Sequence, residues 1–430
     1  MDSSPQESRF FVFELCSIWG CVIGSWAVLQ VATPLVLKDI VGKTDAPTWQ
    51  GIFTATTAMS GVIFCGLTGH FSDRMGRLQF LTPWMVFFFV TTVLVVLSDI
   101  HGSIYMLWVA RVAAISVPST ILHAFFSDYM KGNALLEAFG YLGATFSTSM
   151  ITSSFLCGVI SWYYSRVAAL IFGSCLACIG VLLTLAVKVP IRPQVASSTV
   201  EVKTESTPLF ASAGSLTGSM STIYKDALLR NLICSLALLR VCNVTTQMML
   251  VLFVDFRLGW GLPEMSLMVG VSAMFSVLCQ IVGVRFVISS DIVLPVLFIV
   301  LAMIPLLAAS YAMAMTGPQM YVVSILGSMT SIAPTIFSAK ITALASEDGV
   351  AGLVLGCVGT LQNVLEVFVA LSMGKLLSWS LENQPRASIL SGLPFILNGV
   401  FLGVVVVIVI YTHKRYGSGR TSWVEGAHCE

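Results

Sequence analysis

Charge is scarce in this chain. Of 430 residues, 10% are Asp, Glu, Lys or Arg, 57% are hydrophobic, and the mean hydropathy is +0.91. A soluble domain carries about 25% charged residues, so this composition cannot supply a surface that faces water all round. Net charge is +1, which leaves no electrostatic footprint for a nucleic-acid partner. Histidine is scarce as well, five in all, and none pairs with an acid at catalytic spacing. No nucleophile–base grouping is visible, which argues against an enzyme. Of the eleven cysteines, only Cys175 and Cys178 stand as a CxxC pair, within an apolar run, and no second pair or His cluster completes a metal-ligand set. Most, such as Cys16, Cys21, Cys175 and Cys178, fall inside apolar runs, where a small hydrophobe is the ordinary role. No metal and no cofactor are expected. Residues 1–9 are short and polar without a cleavable-signal pattern, so the first helix is expected to act as the insertion signal.

What is present is apolar sequence in regular blocks. Segments near 10–37, 50–71, 80–98, 104–127, 136–160, 165–187, 228–254, 264–288, 291–313, 320–344, 350–378 and 391–411 each approach the ~20 apolar residues a spanning helix needs. Between the sixth and seventh, Pro190 to Lys225 is rich in Ser, Thr and Gly, carries Pro193 and Pro208, and cannot bury a core. The expected organisation is an all-α membrane protein: a six-helix bundle over 1–189, a flexible linker over 190–227, a second six-helix bundle over 228–412 and a tail over 413–430. With the N-terminus in the cytosol, Lys38, Lys43, Arg166, Arg257, Lys375 and Arg386 fall on the opposite side, and Arg111 and Arg240 fall within spans. The remaining 14 of the 22 basic residues are then cytosolic, the bias expected of that face. The termini and the linker are therefore predicted to be cytosolic.

The segment Gly69-His70-Phe71-Ser72-Asp73-Arg74-Met75-Gly76-Arg77 is the one dense charge cluster early in the chain. It resembles the loop 2–3 signature of the major facilitator superfamily of secondary transporters, Gly-x-Leu-x-Asp-Arg-x-Gly-Arg followed by a basic residue. Phe71 replaces the leucine and Leu78 the final basic residue. The topology resembles that family over nearly the whole chain, and the sequence does so most over residues 60–140. Within that family the chain loosely resembles the group of tetracycline-resistance, hippocampus-abundant-transcript and proton-coupled folate transporters. The resemblance implies twelve transmembrane helices in two bundles, with solute near the midplane between them. It also implies a cytosolic gate of Gly69, Asp73, Arg74, Gly76 and Arg77, with Asp128 at the end of helix 4 as the acidic partner. Asp73 would face the N-terminal end of helix 11, where a carboxylate gains roughly 0.3–1 kcal/mol. Gly349-Val350-Ala351-Gly352 is small enough for that approach. A charged loop that only sets topology is the plainer alternative. The equivalent segment of the second half, Val284 to Asp291, lacks the signature, so the latch is expected to be asymmetric.

Three polar residues in helix 7 share one face: Arg240, with Asn243 and Gln247 at i+3 and i+7. Arg240 lies near mid-membrane, where a charge costs at least about 2.5 kcal/mol. It must face a cavity or pair with an acid on helix 1 or 11, and the two are compatible. Asn243-Val244-Thr245 matches a glycosylation sequon at a depth that excludes modification. Arg111 in helix 4 is where the family often places an arginine, within Arg-x-x-Gln-Gly. Here Val112-Ala113-Ala114-Ile115 follow, so either a substrate contact or snorkelling fits. Glu366, with Gln362 at i−4, is a candidate proton carrier, because a carboxyl away from water favours its protonated form; a structural pair with Arg240 or Arg111 is the alternative. Glu14 is a second candidate proton carrier, lying about one turn inside the membrane, where it could equally face cytosolic water. Lys340 is read as snorkelling and His123 as packing.

Helix 5 lacks the prolines of the drug/proton antiporter signature, which favours uptake or facilitated movement over drug export. Glu205 to Phe210 loosely resembles an acidic dileucine signal, placing the chain in the plasma membrane or an endosomal/lysosomal membrane. The expected function is transport of a small solute, with an organic anion favoured by the two membrane arginines, by a monomer in the lipid bilayer. The second reading is a receptor or sensor that keeps the transporter fold without flux.

Overall fold

The computed structural model describes residues 5–75, 77–113, 133–187, 227–279, 293–334, 336–338, 341 and 351–416. Twelve α-helices follow in order: α1 Pro5–Val41, α2 Ala46–Met75, α3 Arg77–His101, α4 Ile104–Ala113, α5 Asn133–Tyr163, α6 Arg166–Ala186, α7 Ala227–Leu258, α8 Leu262–Leu278, α9 Val293–Met313, α10 Gly317–Ser328, α11 Ala351–Asn383 and α12 Leu393–Tyr416. Among the described residues, nine helices are long and apolar enough to cross a membrane, and α8 is a shorter apolar helix. Helices are the economical solution in lipid, because each satisfies its own backbone hydrogen bonds.

Two boundaries differ from the sequence reading. The 69–77 segment, expected as a loop, is helical through Met75, and α3 resumes at Arg77. No proline interrupts it, and Asp and Arg are tolerated in a helix interior, so the charges ride on helix ends. In α10 the helix tightens into a 3₁₀ turn at Met329–Ser331. Pro334 supplies the reason: it cannot donate to the Thr330 carbonyl four residues back, and its ring crowds that turn.

The connections after α1, α3, α5, α7, α9 and α11 gather at one end of the molecule. Gly42, Gly102 and Gly259 turn the chain after α1, α3 and α7 with φ of 91°, 63° and 70°, a left-handed conformation that only glycine adopts freely. Two arginines, half-buried Arg166 and buried Arg257, knit this end, one within each half. Arg166 at the start of α6 donates to Asp99 of α3 through Nε at 3.2 Å and Nη2 at 2.5 Å, and also pairs with Asp39 of α1. Arg257 at the end of α7 donates to the carbonyls of Ala312 (2.5 Å), Ala314 (3.1 Å) and Ser388 (2.6 Å) and to Ser391 Oγ (2.7 Å). Alanine at 257 strands the Ala312 and Ala314 carbonyls around a hole, while Ser388 and Ser391 keep their bonds to each other, and buried unpaired groups cost about 1–3 kcal/mol each before relaxation. The Arg257→Ala protein should therefore melt several degrees lower in a detergent thermal-shift assay, whereas an exposed substitution such as Lys43→Ala should not move the midpoint.

Packing divides the helices into α1–α6 and α7–α12, which meet along three seams: α2 against α11, α5 against α8, and α1 against α7. The seam between α2 and α11 is backbone on backbone. A Cβ on Gly51 would sit 2.5 Å from the Ala370 carbonyl, and one on Gly374 would sit 2.6 Å from that of Pro47. Small residues permit such approach, which is how membrane helices gain van der Waals contact.

The buried core has an uneven layout. At the end carrying the short turns, one continuous cluster unites both halves, running from Val28, Leu35 and Phe53 through Phe253, Met265 and Leu377. Toward the other end it separates into two clusters. One lies within the first half, around Leu15, Leu81, Met85 and Ala177. The other lies within the second half, around Leu232, Leu239, Leu301 and Val405. Among the described residues, the halves are fused at the first end, hereafter the sealed end, and have separate interiors toward the other.

Candidate functional site

The polar residues that face the cleft between the halves come from α1, α2, α4, α7 and α11. Near the middle of α7, Arg240 and Gln247 are exposed and Asn243 is half-buried, although neighbouring positions such as Leu239, Val241 and Cys242 are buried. The direction of this stripe is fixed by Gln247, whose Oε1 accepts from Nε2 of Gln30 on α1 at 3.0 Å. α1 belongs to the other half, so the stripe points into the cleft and not into lipid. Arg240 lies about 10 Å further from the sealed end, two turns along the helix. No acid pairs with it among the described residues.

The second group straddles the halves. Arg111 of α4 and Glu366, mid-way along α11, lie within electrostatic reach of one another without a direct ion pair. The Arg111 Nε is buried and has no hydrogen-bond partner, and neither has the nearby Gln362 Nε2. The Arg111 backbone is pinned by Thr57 of α2, whose Oγ1 donates to the Arg111 carbonyl at 2.9 Å. One turn of α2 further on, Gly61 faces Asn363 of α11, where a Cβ would sit 3.1 Å from the side-chain nitrogen. Of the two arginines expected near Glu366, Arg111 is the one within its electrostatic reach.

Two polar bridges cross from α1 to α7. Besides Gln30–Gln247, Lys38 Nζ lies 2.9 Å from Asp255 Oδ1, with side chains 18% and 9% exposed. Both bridges join residues 217 apart in sequence, so α1 and α7 run parallel and in register for eight residues. Lys38 also lies 3.9 Å from Asp39, which pairs with Arg166. Charges thus chain from Asp99 through Arg166, Asp39 and Lys38 to Asp255. Only the last link joins the two halves.

The remaining expected residues are placed as follows. Glu14 is half-buried in α1. Gly69, Asp73, Arg74 and Arg77 lie on described helix backbone, but their side chains, together with Gly76, Asp128, His123, Lys340 and the 284–291 segment, lie outside the described residues. Sequence reasoning missed Gln30 and the Lys38–Asp255 bridge. The signal for the bridge was there, in the adjacent Lys38-Asp39 and the Asp255-x-Arg257 spacing at the ends of two helices. Residues two apart on a helix face opposite sides, so Asp255 meets α1 while Arg257 meets its own half.

Comparison with known proteins agrees with this architecture. The sequence model of the Major Facilitator Superfamily matches residues 15–370. Tetracycline resistance protein, class H, of Pasteurella multocida is 26% identical over 141 residues, 32% of this chain and 34% of that protein. The alignment thus spans about a third of the curated relative. Among solved structures, the nucleoside transporter NupG superposes with a TM-score of 0.69 at 14% identity, covering 94% of this chain and 99% of that one. An inward-facing, occupied bacterial homologue of the human lysosomal transporter Spinster gives 0.67 at 12% identity, covering 98% and 99%. A family match over most of the chain, two six-helix bundles and a polar cleft between them lead to one conclusion: this protein belongs to the major facilitator superfamily.

Proposed function

We propose that the chain is a secondary transporter that moves a small organic anion by alternating access, coupled to protons through Glu366. The observation that carries this reading is the divided core: one shared interior at the sealed end, two separate interiors beyond it. Two rigid bundles hinged in that way expose a cleft on one side at a time. The basic-residue bias puts the sealed end on the non-cytosolic side, so the arrangement described is closed to that side. Arg240, Asn243, Gln247 and Gln30 form the solute wall. A guanidinium with no acid beside it among the described residues favours a carboxylate, sulfonate or phosphate, and amides on both halves offer neutral hydrogen bonds.

Proteoliposomes loaded with buffer and offered labelled organic anions test the reading. Saturable uptake, abolished when an inward proton gradient is collapsed, supports it. Absence of flux for anions, sugars, nucleosides and amino acids alike would favour the receptor reading.

The cytosolic gate belongs to the same proposal. Gly69, Asp73, Arg74, Gly76 and Arg77 would close the cytosolic side by drawing the ends of α2 and α3 against the start of α11 and toward Asp128. Asp73→Asn should then lower flux strongly at normal surface expression, and unchanged flux would remove the gating role.

A further inference from the structure

A second concave site lies away from the cleft, where α5 and α8 meet at the sealed end. It is a cavity of about 310 Å³. Phe155, Val159 and Leu267 form its apolar floor, and Trp162, Tyr163 and Glu264 stand at its mouth. Trp162 and Tyr163 are 68% and 77% exposed, the arrangement of an aromatic girdle at the level of lipid headgroups.

Glu264 is an unusual acid in that setting. One carboxylate oxygen accepts the Gly261 N–H at 3.0 Å and caps α8. The other accepts no described hydrogen bond, and no Lys, Arg or His pairs with the side chain among the described residues. The Tyr321 ring lies within its electrostatic reach and packs on Trp260 at 5.4 Å between centroids. A carboxylate with no described cation beside it, sharing the lining of one cavity with Trp162 and Tyr163, fits an organic ammonium ion, which gains from the negative charge and from the aromatic faces together. Phe155, Val159 and Leu267 lie one to two helical turns deeper along α5 and α8 than Trp162, Tyr163 and Glu264, so the cation is best supplied on an acyl-chain carrier and not as a free solute.

We propose that this groove binds the headgroup of a phospholipid ending in an ammonium, such as phosphatidylcholine, from the leaflet at the sealed end. The site is half α5 and half α8, and α5 is tight against α8 beside it: a Cβ on Gly158 would lie 3.2 Å from Ser266 Cβ. The bound lipid therefore bridges the two bundles and holds that end closed. The inference is independent of solute identity and of proton coupling.

The test is thermal stability of the purified full-length protein in detergent, titrated with phosphatidylcholine, phosphatidylglycerol or choline chloride. Phosphatidylcholine should raise the apparent melting temperature by several degrees, since a ligand that binds only the folded state stabilises it. Phosphatidylglycerol and free choline should not. Trp162→Ala, at a residue too exposed to disturb folding, should remove most of that rise. Glu264→Gln, which retains an oxygen for the helix cap, should do the same. Equal shifts from phosphatidylglycerol, a full shift from choline alone, or an undiminished rise in both variants would overturn the proposal.

Discussion

Uphill accumulation of solute should vanish in the Glu366→Gln protein, while exchange of solute across the membrane persists. Glutamine keeps the volume and the hydrogen bonding of glutamate but cannot titrate. Exchange needs the bundles to rock with solute bound and needs no net proton movement, so the two activities separate. The geometry gives the substitution its leverage. Glu366 sits on α11 in the second half and Arg111 on α4 in the first, within electrostatic reach. Protonation of the carboxyl cancels an attraction between halves, and deprotonation restores it, so proton binding is tied to the motion that exposes the cleft. Counterflow and gradient-driven uptake, measured on the same proteoliposomes, check the prediction. Wild-type uptake indifferent to a pH gradient would end the hypothesis before any variant is made, leaving Glu366 as the structural partner of Arg111.

Arg240→Ala should weaken anion binding by roughly ten- to a hundred-fold, the loss expected for a charge-assisted contact worth about 1.5–3 kcal/mol. Arg240→Lys should lose less, because it keeps the charge without the two-pronged guanidinium. The prediction rests on Arg240 being exposed in the cleft with no described acid beside it. An arginine already spent on an internal pair would instead cost stability when removed. Binding and melting temperature measured together separate the two outcomes: weaker binding at unchanged stability fits the solute role, and unchanged binding excludes it.

Much of the fold was legible because lipid imposes a strong rule on sequence. Each crossing must be a long apolar helix, so twelve blocks and a polar linker announced two bundles before any contact was known. The Arg240–Asn243–Gln247 stripe was legible too, since helical periodicity within one segment fixes which residues share a face. Pairings between segments were not. Nothing in one sequence says that α1 and α7 run in register, so Gln30 had no reason to stand out. Lys38, Arg166 and Arg257 counted only as charge on one side of the membrane, although Arg166 and Arg257 each tie one half together and Lys38 joins the halves. The Glu366 partner stayed open between two arginines for the same reason. The helical course of residues 69–75 was obscured by their polarity, which resembles a loop when charges ride on a helix end.

The central claim is that the sealed end opens as the other end closes. Double electron–electron resonance on the full-length protein tests it without knowledge of the solute. One label pair at Lys43 and Glu382 spans the sealed end, and a second pair at Ala186 and Lys414 spans the opposite end; all four positions are exposed. Asp255→Asn removes the ion pair through which Lys38 joins the halves at that end, and loss of one partner of this part-buried pair disfavours the paired arrangement. The account predicts that Asp255→Asn moves the Lys43–Glu382 distance to longer values and the Ala186–Lys414 distance to shorter ones in equal proportion. A sealed-end distance that stays short and single in both proteins, with no matching change at the other end, would contradict it.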